Sequence, residues 1–218
     1  MTEDSRTEEG KFKNVAGNHY DKYNSKNPIE KKLMKGFFDG VKRLFDIVKR
    51  NGPPARVLEA GCGEGVFTCF VRQYFHNARI DAFDVEETVI QKAINDFYGL
   101  NIHFYQDSIY QTELEDDSVP FVVCSEVLEH LEDPVKALRE LHRVGSAYFF
   151  FSVPREPIWR ILNMCRFKYL KDFGNTPGHI NHYSKKGFLK LIEKAGGFEV
   201  VSYRKALPWQ MILLRKAD

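Results

Sequence analysis

Between Pro28 and Arg50 the apolar residues Ile29, Leu33, Phe37, Val41, Leu44 and Val48 recur at three- and four-residue intervals, the period of one face of an α-helix. Asn27 followed by Pro28 supplies a capping side chain and a first-turn proline. Gly52-Pro53-Pro54 ends the helix, because proline lacks the N–H that the helix needs and crowds the turn before it. The pattern then changes to short apolar runs separated by helical stretches. Strands are predicted at 56–60, 78–84, 101–105 and 147–153, with the core of another at 121–124. Helices are predicted at 66–75, 86–98 and 134–144. Short, continuously apolar strands that alternate with helices imply a mostly parallel sheet covered on both faces.

The end of the chain departs from that alternation. A helix at 185–195 is followed by two strands, 198–203 and 210–214, joined through Leu207-Pro208-Trp209. Two strands without a helix between them imply an antiparallel pair at one edge. No repeat or low-complexity tract interrupts the pattern, and one domain over residues 15–218 is expected. Residues 1–14 contain almost nothing to bury and are expected to be disordered.

Charge and cysteine usage narrow the function classes. Lys and Arg total 32 against 30 Asp and Glu, so the chain as a whole has no general attraction for nucleic acid or an anionic membrane, although a local patch stays open. Cys62, Cys69, Cys124 and Cys165 form no CxxC pair, which argues against a zinc ribbon or a dithiol site. Cys69 and Cys124 lie in apolar runs and read as small core residues. The charged start has no signal-peptide stretch, and the apolar window 147–153 is too short to cross a bilayer as a helix. A soluble, cytoplasmic protein is expected.

The strongest chemical signal is Val57-Leu58-Glu59-Ala60-Gly61-Cys62-Gly63-Glu64-Gly65. Glycines at a strand's exit permit a tight turn and a close approach of backbone to ligand, and the next helix offers free amides at its start. Dehydrogenases space this loop as GxGxxG; here it is GxGxG, with Glu59 ahead of it. Asp84 ends the second strand, where a carboxylate can accept both hydroxyls of a ribose. Asp107 follows the third strand, where it can accept from an adenine amino group. Either acid alone reads equally well as a surface residue or a cap; the ordered set points to a nucleoside ligand.

With Glu59 to Gly65, Asp84, Asp107-Ser108 and Ser125-Glu126-Val127-Leu128-Glu129-His130-Leu131 in this order, the chain resembles the class I S-adenosylmethionine-dependent methyltransferases from about Tyr20 to its end. The resemblance implies a Rossmann-like α/β fold: a seven-stranded, mostly parallel sheet with helices on both faces and an antiparallel C-terminal hairpin. It implies an N-terminal helical lid over 15–51, with Tyr20 and Tyr23 folding over the cofactor, and an acceptor-side insert at about 154–183. Cofactor contacts are implied at Tyr23, Glu59, Gly61, Cys62, Gly63, Asp84, Val85, Asp107, Ser108, Ile109 and Ser125. The loop Gly61–Gly63 would lie against the methionine portion. The usual glycine pair before the fifth strand is replaced by Arg143-Val144-Gly145-Ser146.

Methyl transfer from a sulfonium is an in-line displacement on an activated donor, so the protein mainly aligns the reacting atoms and excludes water. A base is needed only where the acceptor must lose a proton. Glu126, His130, His179 and His182 are the candidate catalytic residues; the insert's two histidines and its aromatics make it the candidate acceptor pocket. A small-molecule acceptor is expected, with O-methylation favoured because Ser125 to Leu131 resembles the segment of quinone-biosynthesis enzymes. Glu126, Glu129 and His130, with His179 or His182, also resemble the magnesium site of small-RNA 3′-end methyltransferases, although a loop bracing role without metal suits the same residues. A nucleic-acid methyltransferase is the first alternative, through basic residues such as Arg160, Arg166, Lys168 and Lys171. Against it, Ser125-Glu126-Val127-Leu128 stands where base-amine methyltransferases carry an Asn- or Asp-Pro-Pro-aromatic motif. A non-catalytic cofactor-binding protein of the same fold is the other alternative.

Overall fold

The alternation read from the sequence is realised almost segment for segment. The computed structural model describes residues 27–165 and 169–217; Tyr20, Tyr23, Arg166 and Lys168 lie outside them. The strands are β1 (Arg56–Ala60), β2 (Arg79–Asp84), β3 (Ile102–Gln106), β4 (Val119–Ser125), β5 (Gly145–Pro154), β6 (Phe198–Ala206) and β7 (Trp209–Lys216). The helices are α1 (Pro28–Arg50), α2 (Val66–Tyr74), α3 (Glu87–Asp96), α4 (Pro134–Val144), α5 (Ile158–Cys165) and α6 (Lys185–Ala195). Helix α5 lies inside the insert and was not anticipated, because Pro154 and Pro157 frame a stretch whose apolar residues show no clean period.

Three helices begin where a side chain meets their first free amides. Asn27 Oδ1 accepts from Ile29 N at 2.9 Å, Asp133 Oδ1 from Lys136 N at 3.0 Å, and Ser184 Oγ from Gly187 N at 3.1 Å. Such caps contribute about 1 kcal/mol each.

The strands form one sheet in the order β3-β2-β1-β4-β5-β7-β6. The first five are mutually parallel, and β7 runs antiparallel to both β5 and β6. Alternation along β5 divides the core: Phe149 and Phe151 face α4 and α6, whereas Phe150 faces α1 and α2, as the two-residue strand period requires. Thus Leu138, Leu141, Phe188 and Ile192 close one face, while Val41, Phe45, Phe67 and Val71 close the other. Helix α1 is part of that second layer, with Phe37, Val41, Leu44, Phe45 and Val48 buried. Cys62, Cys69 and Cys124 are buried and Cys165 is exposed. Among the described residues no helix is long and apolar enough to cross a membrane.

Strand β1 has β2 on one side and β4 on the other, so the connections leaving the two central strands diverge. In open α/β sheets that divergence opens a crevice at the carboxyl ends of the strands. The glycine loop leaves β1 there.

Candidate functional site

The loop after β1 is shaped by backbone rather than by side chains. Gly61 N and Cys62 N both donate to Phe83 O at 2.9 Å, and Gly65 N donates to Cys62 O at 3.0 Å. Gly63 N donates to Asp84 Oδ2 at 2.9 Å, and Glu86 N donates to Asp84 Oδ1 at 3.1 Å. Gly61 has φ +74, and a Cβ added to it would stand 2.6 Å from Val127 Cγ2. Glycine is therefore required there twice over, by conformation and by the turn after β4 that presses on it.

These turns enclose a cleft of about 460 Å³, a volume suited to a nucleoside-sized ligand. Glu59, Gly61, Cys62, Gly63, Asp84, Val85, Asp107, Ile109, Ser125, Glu126 and His130 all lie on its wall, so the structure brings most of the sequence-derived candidates together. Val85 is 69% exposed although apolar, an open greasy surface beside Asp84. Ser108 stands behind the wall: its N–H donates to Asp107 Oδ1 at 2.7 Å and its Oγ accepts from Tyr110 N at 3.3 Å. Asp107 Oδ2 accepts from Glu113 N at 3.5 Å, so this carboxylate also orders the loop after β3. Tyr23 lies outside the described residues.

Glu59 is buried on the cleft wall at 2% exposure. Burial pushes its carboxyl up to about 8; the Thr68 hydroxyl lowers it and the Asp84 charge raises it further. Burial also pushes the Cys62 thiol far up, with Glu59 and Asp84 adding to the effect, so Cys62 is a packed thiol and not a nucleophile.

At the end of β4, Glu126 has φ +60, a left-handed conformation that a non-glycine residue keeps only where its surroundings hold it. Ser152 supplies that hold. Glu126 N donates to Ser152 O at 3.0 Å, Ser152 Oγ donates to Glu126 Oε1 at 3.1 Å, and Ser125 Oγ lies 2.8 Å from Ser152 Oγ. Since Ser152 gives its proton to Glu126, Ser125 donates to Ser152 and turns its lone pairs outward. Ser152 has no exposure. Sequence reasoning missed it, although a hydroxyl inside Phe149-Phe150-Phe151-Ser152-Val153 was a signal, since a buried strand carries a polar group only with a partner.

The acceptor side is held by a short 3-10 turn, Leu128–His130. Ile180 N and Asn181 N both donate to Glu129 O, at 3.0 and 2.9 Å. Asn181 Nδ2 donates to Leu131 O at 2.6 Å, and Tyr183 Oη donates to Leu128 O at 3.2 Å. The returning end of the insert is thus clasped to the turn that lines the cleft. His130 Nδ1 lies 2.9 Å from Gly178 O, and the His130 and His179 rings meet nearly edge to face at 4.8 Å. His179 in turn stacks on Trp159, whose Nε1 donates to Thr176 Oγ1. His182 does not join this group. Its Nε2 is 2.8 Å from Asn175 Oδ1, and it lines a separate hollow with Arg160 and Lys171.

Strand order, terminal hairpin and cleft position define a Rossmann-like nucleoside-binding architecture. A family model described as a methyltransferase domain matches residues 29–203, and the chain belongs to the S-adenosylmethionine-dependent methyltransferase family. A "Probable S-adenosylmethionine-dependent methyltransferase" of Mycobacterium tuberculosis is 30% identical over 150 residues, covering 66% of this chain and 49% of that protein. A ubiquinone biosynthesis O-methyltransferase of Hahella chejuensis is 30% identical over 110 residues, covering 48% and 46%. The chain spans about half the length of these curated relatives. Among solved structures, the magnesium protoporphyrin IX methyltransferase of Synechocystis with bound SAH superposes with a TM-score of 0.64 at 18% identity, covering 88% of this chain and 89% of that one. At that identity the likeness is one of fold.

Proposed function

We propose that the protein transfers a methyl group from S-adenosylmethionine to an oxygen of a small-molecule acceptor. The observation that carries the reading is the convergence of the glycine loop, Asp84 and Asp107 on one cleft at the sheet's divergence point. In this reading Asp84 accepts from the ribose hydroxyls with the lone pairs that Gly63 and Glu86 leave open. Asp107 accepts from the adenine amino group, and Val85 and Ile109 cover the ring. The loop Gly61–Gly63 receives the methionine portion.

The donor methyl then points toward Ser125, Glu126 and His130, on the wall nearest the insert. An acceptor oxygen lone pair attacks the methyl carbon in line as the carbon–sulfur bond breaks, so the sulfonium becomes a neutral thioether. Alignment and exclusion of water supply most of the rate. Glu126, oriented by Ser152, and His130 are the groups placed to take the hydroxyl proton; His179 acts on the same side through its contact with His130. The ubiquinone-pathway relative acts on oxygen by its name, which supports the choice of acceptor atom.

Calorimetry tests the first half: S-adenosylmethionine or its demethylated product should bind one per chain and raise thermal stability by linkage. Binding of NAD with no heat from either sulfur compound would overturn the reading. Incubation of labelled donor with fractionated metabolite extract tests the second half, with label expected in a base-stable ether or an ester.

A further inference from the structure

A magnesium site made of Glu126, Glu129 and His130 with His179 or His182 is one expectation of the sequence, and the structure does not assemble it. The Glu126 carboxylate accepts from Ser152 Oγ, and His182 faces Asn175. What converges is one carboxylate and two imidazoles: ligand atoms of Glu129, His130 and His179 all lie within 4.8 Å of one another. Magnesium demands a nearly all-oxygen octahedral shell and retains its waters, so this donor set does not fit it. Two imidazoles and a carboxylate suit zinc and its late first-row neighbours, and match a common three-ligand arrangement for zinc with an open fourth position.

We propose that Glu129, His130 and His179 bind one divalent late first-row metal ion of the zinc type at the junction of the cleft and the insert. Three features support a built site. Glu129 is 1% exposed and His179 is 8% exposed, so two of the donors are fixed by packing. The segment carrying His179 is pinned to the turn carrying the other two by the paired bonds from Ile180 N and Asn181 N to Glu129 O. The third feature is the His130 ring: donation from Nδ1 to Gly178 O at 2.9 Å selects the tautomer whose lone pair is on Nε2. A backbone carbonyl that orients a ring in this way is the usual support of a metal-bound histidine.

Bonds of about 2.0–2.2 Å place tetrahedral ligand atoms about 3.3–3.6 Å apart. Closing from within 4.8 Å requires rotation of side chains and no movement of backbone. The exposed member, His130, also lines the cleft, so the open fourth position faces the acceptor side. There the ion would lower the pKa of an acceptor hydroxyl, a role that rests on the methyl-transfer reading; metal binding itself does not.

The test uses the full chain, stripped with a chelator and titrated with Co²⁺, whose visible absorption reports four-coordination, and then with Zn²⁺ against a chromophoric chelator. One Co²⁺ per chain is expected, displaced by Zn²⁺ and unaffected by excess Mg²⁺. His130→Gln and His179→Gln should each weaken Zn²⁺ binding by at least about 100-fold, the upper end of what loss of a supporting partner costs. His182→Gln and Glu126→Gln should leave it unchanged. His130 is exposed, so its variant is the one least exposed to misfolding. S-adenosylhomocysteine calorimetry on each sample reports an intact cleft and scores the cofactor reading separately. A folded wild-type chain that takes up no Co²⁺ or Zn²⁺, uptake that survives loss of both histidines, or equal displacement by Mg²⁺ would each overturn the proposal.

Discussion

Asp84 holds the backbone N–H of Gly63 with one carboxylate oxygen, at 2.9 Å, so the last residue of β2 fixes the loop that leaves β1. The bond couples two jobs in one side chain: ordering the glycine loop and, in the proposed function, receiving the ribose. Asp84→Ala should therefore weaken S-adenosylhomocysteine binding by about 10–100-fold, corresponding to about 1.5–3 kcal/mol for charged hydrogen bonds. Asp84→Asn, which keeps one acceptor, should fall between. Calorimetric titration of both variants checks the order; wild-type affinity in Asp84→Ala would remove the ribose assignment.

Gly61→Ala meets two obstacles, the left-handed φ and the Val127 methyl group 2.6 Å from the new Cβ. A destabilisation of about 2–4 kcal/mol is expected from strain and overpacking together. Adding Val127→Ala should recover the packing part only. Urea denaturation of the single and double variants separates the contributions.

Glu59 gives the free protein a characteristic pH dependence. In the unfolded chain its carboxyl ionises near the ordinary 4.5, whereas in the folded chain burial holds the proton up to about 8. Its contribution is thus fully present below about 4.5, is lost steadily as pH rises, and is gone above about 8. Glu59→Gln should flatten this slope and be the more stable protein at pH 8. Thermal melts from pH 5 to 9, at the approximate resolution of the linkage argument, measure it.

The same carboxyl predicts a difference between donor and product. A sulfonium near Glu59 favours its ionised form, whereas a neutral thioether does so less. Binding of S-adenosylmethionine should release a fraction of a proton near pH 7, more than S-adenosylhomocysteine does. Calorimetry in two buffers of different ionisation enthalpy reads the protons, and equal release by both ligands, or release that persists in Glu59→Gln, would count against the assignment.

Ser152→Ala removes a buried hydroxyl that joins Ser125 to Glu126. Stability should drop by about 1–2 kcal/mol. Methyl transfer should fall further than cofactor affinity does, because Glu126 loses the partner that orients it. A fall in S-adenosylhomocysteine affinity equal to the fall in turnover would instead make Ser152 a prop for the cofactor wall.

The fold was legible where local signals agreed. Helices α1, α4 and α6 occupy the residues expected, because a capping side chain or proline stands directly before an unbroken apolar face in each. Helix α5 was not legible, since its place depends on Trp159 and Asn163 reaching Thr176, contacts that no local pattern announces. In the site, the acids that end strands were legible because strand ends point to one edge of a parallel sheet. Direction was not: Ser108 and His182 sit at suitable places in the sequence, yet one backs Asp107 and the other turns to Asn175. Ser152 was hidden because its role is decided by its parallel neighbour Ser125.

The insert leaves and returns through a narrow neck. Arg155 bridges to Tyr183, Glu156 N donates to Tyr183 O, and the 180–181 backbone is fastened to Glu129. What lies between the two sides of that neck is consequently an exchangeable cassette. Replacing residues 158–175 with the corresponding stretch of another family member would leave the glycine loop, Asp84 and Asp107 untouched while changing the surface an acceptor meets. Selectivity in this chain can be redesigned by grafting one segment, with cofactor affinity as the internal control that the graft has seated.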